Sequence, residues 1–158
     1  MKTERDAKLL GYAGLLPFAF GAIIAWMPGV PISLRTSCLE WTLLYAAIIL
    51  SFMGGARWGV AMMADGRRSG APFSGFLAAV TPALAAWAMV VPEALLPFAS
   101  PASVRFAVLI AAFAGLLAED LRAVRAGEAP DWYGRLRVRL TLGVVVALAL
   151  VIVRLVTG

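Results

Sequence analysis

The residues that could carry chemistry in this sequence are few, and they lie inside or at the ends of long apolar segments. Arg57 stands within the apolar run that starts near Trp41, and the adjacent acids Glu119 and Asp120 close another such run. An arginine and a carboxylate at similar depth in a membrane favour an ion pair, because pairing lowers the cost of burying each charge. The sequence therefore predicts a structural ion pair between Arg57 and either Asp120 or Glu119.

Two other interpretations of Arg57 stay open. The side chain could extend its guanidinium to the lipid headgroups without any further role. It could instead line a polar pocket for an anionic headgroup or a quinone head. The candidate residues for the ion pair or the pocket are Arg57, Trp58, Glu119, Asp120, Trp132, Tyr133 and Arg137.

Catalysis has little support in the sequence. Glu119 and Asp120 are neighbours, so on a helix their side chains diverge by about 100° and do not converge as an acid–base pair. The chain has no histidine, and Cys38 is its single cysteine. This composition excludes an intrachain disulfide, a cysteine-ligated iron–sulfur cluster, histidine-ligated metals and a Ser-His-Asp triad. We therefore predict a non-enzymatic protein with no catalytic residue, no metal and no cofactor.

Small residues form a stripe along the segment that contains Arg57. Four of them recur every four residues, at Ala47, Ser51, Gly55 and Gly59, and Gly54 lies next to Gly55. Small side chains let two helices approach closely in lipid, where packing drives helix association. The stripe predicts close packing within this chain, and the alternative is a docking face for a partner subunit.

The polar stretch before the last apolar segment reads as a helix start and a membrane anchor. Pro130 and Asp131 are typical of a first helical turn. Trp132 and Tyr133 would then lie at the membrane interface, and the arginines that follow would contact lipid phosphates. A pocket that includes Arg137 is the alternative.

Composition indicates which elements must position these residues. Of the 158 residues, 62% are hydrophobic and only 15% are charged, whereas globular domains carry about 25% charged residues. The sequence contains apolar stretches of about 20 residues, the length that an α-helix needs to cross a hydrocarbon core of roughly 30 Å. The sequence predicts an all-α integral membrane bundle with a single transmembrane domain over 1–158 and an uncleaved first span. Its five spans are predicted at 9–27, 41–63, 72–91, 104–123 and 138–156.

The basic residues predict the orientation. One side collects Lys2, Arg5, Lys8, Arg57, Arg67, Arg68, Arg122, Arg125, Arg135, Arg137 and Arg139, and the other collects Arg35, Arg105 and Arg154. Lysine and arginine accumulate on the cytoplasmic side, so the N-terminus is predicted inside and the C-terminus outside. The net charge of +5 is explained by this placement, and we expect no nucleic-acid partner.

Several motifs resemble one known family. The string 51–59, Ser-Phe-Met-Gly-Gly-Ala-Arg-Trp-Gly, is the most specific, and 11–18, 81–87, Asp120 and 130–141 add to it. Together they resemble the transmembrane protein 69-like family, domain of unknown function 3429, over nearly the whole chain. The resemblance implies a small bacterial inner-membrane protein with no assigned activity and supplies no catalytic residues.

Three functions are weighed on these observations. The leading hypothesis is a non-enzymatic accessory or assembly protein of an inner-membrane complex, respiratory or photosynthetic, whose partners are lipids and a membrane complex or a second copy. The second is a lipid- or quinone-binding protein with a cytoplasmic-side pocket. The third, a small transporter, has least support because the spans offer few polar groups and no internal repeat.

Overall fold

The chain is almost entirely helical in a computed structural model, which describes residues 2–65, 73–91 and 101–157. The helices are α1 (Lys2–Ala13), α2 (Leu16–Trp26), α3 (Ile32–Asp65), α4 (Phe73–Val90), α5 (Ala102–Arg125) and α6 (Asp131–Thr157). Within these ranges the chain forms no strand. The predicted all-α class is confirmed.

Among the described residues, four helical segments are long and apolar enough to cross a membrane. They are Glu4–Trp26, Ile32–Met62, Ala102–Arg125 and Asp131–Thr157. The helix that corresponds to the predicted third span is shorter, with an apolar part at Gly75–Val90. Pro72, with which that prediction begins, and the loop residues Arg67 and Arg68 lie outside the described residues. The protein is a multi-pass helical membrane protein.

The first predicted span is interrupted, since α1 ends at Ala13 and α2 starts at Leu16. Pro17 stands in the first turn of α2, where its missing N–H does least harm. At the break, the Tyr45 hydroxyl donates a hydrogen bond of 3.0 Å to the carbonyl oxygen of Gly14. A side chain of α3 therefore satisfies a backbone group that lipid could not.

Most of the stretch between the predicted fourth and fifth spans, residues 124–137, is helical, because α5 continues to Arg125 and α6 begins at Asp131. Helix α5 ends with Gly127 at a positive φ of 73°. The amide of Gly127 donates to the carbonyl of Val124 and that of Glu128 to Ala123, which is the Schellman arrangement of a helix C-terminus. Helix α6 starts at Asp131, directly after Pro130 as predicted. This short turn folds α6 back along α5.

Helices α3 and α4 pack closely against each other. A Cβ atom at Gly54 would overlap the backbone oxygen of Ala79. The glycine therefore allows the backbones of the two helices to approach each other directly. Helix α4 continues through Pro82, and the hydroxyl of Thr81 donates 2.7 Å to the Leu77 carbonyl. The proline therefore lies in a turn that carries an additional side-chain hydrogen bond.

An apolar core fills the interior between these helices. Its largest buried side chains are Phe18, Leu50, Phe106, Leu109, Phe113, Leu116, Leu148 and Val151. The ring of Phe18 meets those of Tyr45 and Phe113 edge-on, at centroid distances of 5.0 and 6.0 Å. This aromatic contact joins α2, α3 and α5.

Candidate binding site around Asp120 and Arg137

Three helices bring their charged residues together at one end of the bundle. Arg57 comes from the last third of α3, Asp120 from the end of α5, and Arg137 from the start of α6. The short α5–α6 turn sets Asp120 and Arg137 opposite each other on neighbouring antiparallel helices. Helix α4 runs antiparallel to α3, and the ends of α3 and α5 lie on the same side of the bundle.

Asp120 is bound on both of its carboxylate oxygens. Its Oδ1 accepts a hydrogen bond of 2.9 Å from Arg57 Nη1, and its Oδ2 accepts one of 2.6 Å from Arg137 Nε. The Asp120 side chain is 2% exposed and that of Arg137 is 8% exposed. Charge-assisted bonds of this kind are among the strongest in proteins. The Arg57–Asp120 pair is therefore part of a cluster of three residues, of which Arg137 is the third.

Glu119, the other predicted partner, lies at the edge of this cluster. Its Oε2 is 3.9 Å from Arg57 Nη2, and its Oε1 pairs with Arg122 one turn along α5. Glu119 is 30% exposed, so solvent or headgroups screen its interactions. Of the two neighbouring acids, Asp120 forms the buried contact.

Arg137 departs from the anchoring role that the sequence predicts for it. Its neighbours Arg135 and Arg139 are exposed, but Arg137 is buried and bound to Asp120. Its Nη1 donates to the sulfur of Met53 at 3.2 Å, and a thioether is a weak acceptor. The anchoring interpretation is therefore wrong for Arg137, and its contact with Asp120 agrees with the other interpretation, in which Arg137 belongs to the ion pair or the pocket.

A cavity of about 460 Å³ adjoins the cluster. Its walls come from α1, α2, α3, α5 and α6 and are mostly apolar. The residues that line it are Ala7, Leu10, Gly11, Gly14, Leu15, Phe18, Ile49, Phe52, Met53, Ala56, Phe113, Tyr133, Arg137, Leu140, Thr141 and Val144. Small-molecule sites are typically concave, of roughly 300–1,000 Å³, and apolar with a few placed polar groups.

The polar groups of this cavity form one stripe on α6. Tyr133, Arg137 and Thr141 are spaced four residues apart and therefore share a helix face. Arg137 Nη2 and Thr141 Oγ1 are buried and have no hydrogen-bond partner among the described residues. Most buried polar atoms have a partner, so two unpaired groups beside one cavity indicate that a ligand can bind there.

Comparison with known proteins identifies the family of the chain. A family model described as a protein of unknown function, DUF3429, matches residues 3–153. The chain belongs to the DUF3429 family. The search of curated proteins and the search of solved structures each found no match. The family assigns no activity, so the function of this DUF3429 protein has to be argued from its own residues.

The predicted aromatic residues of the DUF3429 chain divide between the cavity and its surroundings. Tyr133 lines the cavity and lies close enough to Asp120 to interact with it. Trp132 packs edge-on against Tyr133, with ring centroids 6.3 Å apart. Trp58 packs on Phe76 of α4 at 4.8 Å. Neither tryptophan lines the cavity, and they support the helices that do.

The small-residue stripe divides as well. Ala47 and Gly54 are buried, whereas Ser51, Gly55 and Gly59 are exposed. A Cβ at Gly55 or at Gly59 would meet no atom within 4 Å, so these two glycines make no close helix contact with any described residue. The internal packing that the sequence predicts is carried by Gly54.

Sequence reasoning did not single out Met53 and Thr141 as site residues. The recurrence of polar residues at Tyr133, Arg137 and Thr141 was the available signal, since a four-residue repeat of polar groups on an apolar helix marks an inward face. In the described part of this DUF3429 protein, no group of three or more histidine, cysteine, aspartate or glutamate side chains could hold a metal ion.

Proposed function

We propose that this DUF3429 protein is a non-catalytic membrane protein that binds one amphiphilic molecule, a lipid or a quinone, in the cavity beside Asp120 and Arg137. The observation that carries the proposal is the pair of unpartnered buried groups, Arg137 Nη2 and Thr141 Oγ1, on an otherwise apolar wall. A ligand with acceptor oxygens at its head and an apolar body complements such a wall.

A binding role fits the cluster better than a reaction does. Both oxygens of Asp120 accept hydrogen bonds from arginines, and Asp120 itself is not among the described residues that line the cavity. The arginines, in turn, stay protonated in proteins and act as donors. The arrangement holds and orients an acceptor and supports no proton transfer.

The test is the molecule that accompanies the protein through purification. Wild-type protein in lipid nanodiscs should carry an amphiphile enriched over the bulk lipid, identified by mass spectrometry. Ala56→Phe places a large ring on the cavity wall and should reduce that enrichment by at least about tenfold, because the ring takes the ligand's volume.

Ala118→Phe is the matched control. Ala118 is exposed on α5 and does not line the cavity, so the enrichment should persist in this variant. Equal enrichment in all three proteins, or none in the wild type, would contradict the proposed function.

We further propose five membrane crossings with a cytoplasmic N-terminus. The Arg57–Asp120 contact brings the ends of α3 and α5 together, which supports a fifth crossing, by α4, that returns the chain to the other side before α5 begins. The excess of basic residues on the α3-end side supports its being cytoplasmic. A bacterial inner membrane is the compartment that this distribution suits.

The expected result for a reporter fused after Gly158 follows from that topology. A phosphatase, active only outside the cytoplasm, should be active at this position, and a green fluorescent protein, which matures in the cytoplasm, should be dark. The reversed pattern would require an even number of crossings or the opposite orientation. A fusion at the N-terminus, expected to give the inverse result, is the control for expression.

An accessory or assembly role in a membrane complex is the second candidate. Its support is the exposed face of α3 at Ser51, Gly55 and Gly59, where nothing in the described chain covers the two glycines. Glycines exposed to lipid allow a helix of another protein or of a second copy to approach closely. Its test is whether a leucine at Gly55 removes a protein that otherwise copurifies.

A further inference from the structure

We infer that the ligand is a single-chain amphiphile with an anionic head, a carboxylate or a phosphate, which enters the cavity sideways from one leaflet. This inference rests on the proposed binding function and specifies the head, the number of chains and the route.

The sign of the head follows from the charges around Asp120. Three arginines, Arg57, Arg122 and Arg137, meet two carboxylates, Glu119 and Asp120, in the ion-pair cluster. The cavity itself is lined by an arginine and by no acid. Among the described residues the cluster therefore carries a net positive charge, and Arg137, on the cavity wall, shares the Asp120 carboxylate with Arg57.

The unpaired atom is on the arginine that faces the cavity. Arg137 Nε is bonded to Asp120 and Nη1 contacts Met53, so Nη2 is the part of the guanidinium that remains for a ligand. A buried charge is strongly disfavoured unless it is paired and hydrogen-bonded. An anionic oxygen at this position supplies the missing hydrogen bond and adds negative charge to a cluster in which one carboxylate serves two arginines. The Thr141 hydroxyl, one turn farther along α6, can donate to a second oxygen.

The dimensions favour one chain. Between Tyr133 and Val144 the cavity follows α6 for three turns, roughly 16 Å at 1.5 Å per residue. That length is about half of a hydrocarbon core of ~30 Å, which is the depth of a single leaflet. Its volume of about 460 Å³ is near the lower end of the usual range for ligand sites, roughly 300–1,000 Å³. A two-chain phospholipid would need more space.

The cavity opens toward lipid between α1 and α3. Leu10 on α1 and Phe52 on α3 both line it, and they are 70% and 73% exposed on the outer surface of the helices. Helix α1 packs against α6, so its α3 side forms the open flank of the cavity. An amphiphile can therefore pass from the leaflet with its head at the level of Arg137 and its chain among Phe18, Phe113 and Val144.

Direct binding to the delipidated protein tests the head group. The probes are hexadecanoic acid, hexadecyl phosphate, methyl hexadecanoate and a decyl-substituted benzoquinone, each measured by calorimetry in the same micelles. The acid or the phosphate should bind at least about tenfold more tightly than the ester, since a hydrogen bond to a charged group is worth more than one to a neutral group. The better of the two anions identifies whether carboxylate or phosphate is the natural head.

Thr141→Val is the variant for this test. Thr141 Oγ1 has no partner among the described residues, so valine of similar shape should leave the protein as thermostable as the wild type or more so. It should nevertheless weaken the acid or phosphate by several-fold and leave the ester nearly unchanged. Thr157→Val, at the far end of α6 and away from the cavity, should change neither affinity.

The outcomes separate this inference from the proposed function. Equal affinity for acid and ester, or tighter binding of the quinone, would overturn the anionic head while leaving an amphiphile site in place. A failure of all four probes, together with the absence of a copurified amphiphile, would overturn both.

Discussion

Asp120→Asn should destabilise the folded protein by about 3–5 kcal/mol, the range found when one partner of a buried ion pair is removed. The amide keeps the shape of the carboxylate but not its charge. Arg57 and Arg137 would then both face the side chain at position 120, which is 2% exposed, with no anion between them. Two like charges in a region of low dielectric repel each other, and neither guanidinium can lose its proton to relieve this.

The measurement is the free energy of unfolding in mixed micelles, from denaturant titration followed by tryptophan fluorescence. Glu119→Gln is the matched control, because this neighbouring acid is 30% exposed and lies 3.9 Å from Arg57. Its loss should be within about 0–1 kcal/mol, as for exposed pairs. Similar losses in the two variants would show that Asp120 is not the buried anchor of the cluster.

A double variant separates the charge from the packing. Adding Arg57→Met to Asp120→Asn removes one of the two repelling charges, so part of the lost stability should return. Residues in direct contact commonly show coupling energies of about 0.5–3 kcal/mol. Additive losses would indicate that Asp120 acts through shape and hydrogen bonds alone.

The sequence was sufficient to predict that Arg57 pairs with Asp120 or Glu119, because both ends of the pair follow from helix length and side. A charge close to the end of one span and an acid at the end of another lie at similar depth whatever the side-chain detail. The choice between the two acids needs the rotation of α5, since adjacent residues differ by about 100° around a helix.

Arg137 was a candidate for the ion pair or the pocket, but its burial, in contrast to the exposure of Arg135 and Arg139, could not be predicted in the same way. All three precede the last apolar segment, and a run of basic residues there is the common signal of a cytoplasmic anchor. Because α5 ends in a short turn at Gly127, α6 already begins at Asp131. Arg137 therefore lies inside the bundle, opposite Asp120. The cavity was equally hidden, because it depends on the break between α1 and α2 and on five helices at once.

The face of α3 that packs against α4 could not be predicted from the small-residue stripe either, because it depends on the rotation of α3 about its axis. Ala47, Ser51, Gly55 and Gly59 share a helical face by spacing, and the sequence gives no reason to prefer Gly54, which lies one residue away. The contact with Ala79 of α4 falls on Gly54, so most of the stripe faces outward. A pattern of small residues predicts that a close contact exists but not which side of the helix makes it.

The two adjacent glycines therefore give a sharp comparison, in which Gly54→Ala should lose about 1–3 kcal/mol of stability, as overpacked cores do. The added methyl would overlap the backbone oxygen of Ala79, and neither helix can yield by rotating a side chain. Gly55→Ala meets nothing within 4 Å and should be neutral or gain up to about 1 kcal/mol from helix propensity. The same unfolding titration distinguishes them.

The larger substitution Gly55→Leu extends this comparison from the fold to the partner. Leucine at this exposed site should leave the unfolding free energy within about 0.5 kcal/mol of wild type, as for most surface changes. If α3 docks a second membrane protein, the same leucine would block the approach and remove the partner from crosslinked samples. Gly115→Leu, at another open position on α5, should retain it. A partner that survives the leucine at Gly55 would leave ligand binding as the better-supported role, because that role depends on Arg137 and Thr141 and not on the outer face of α3.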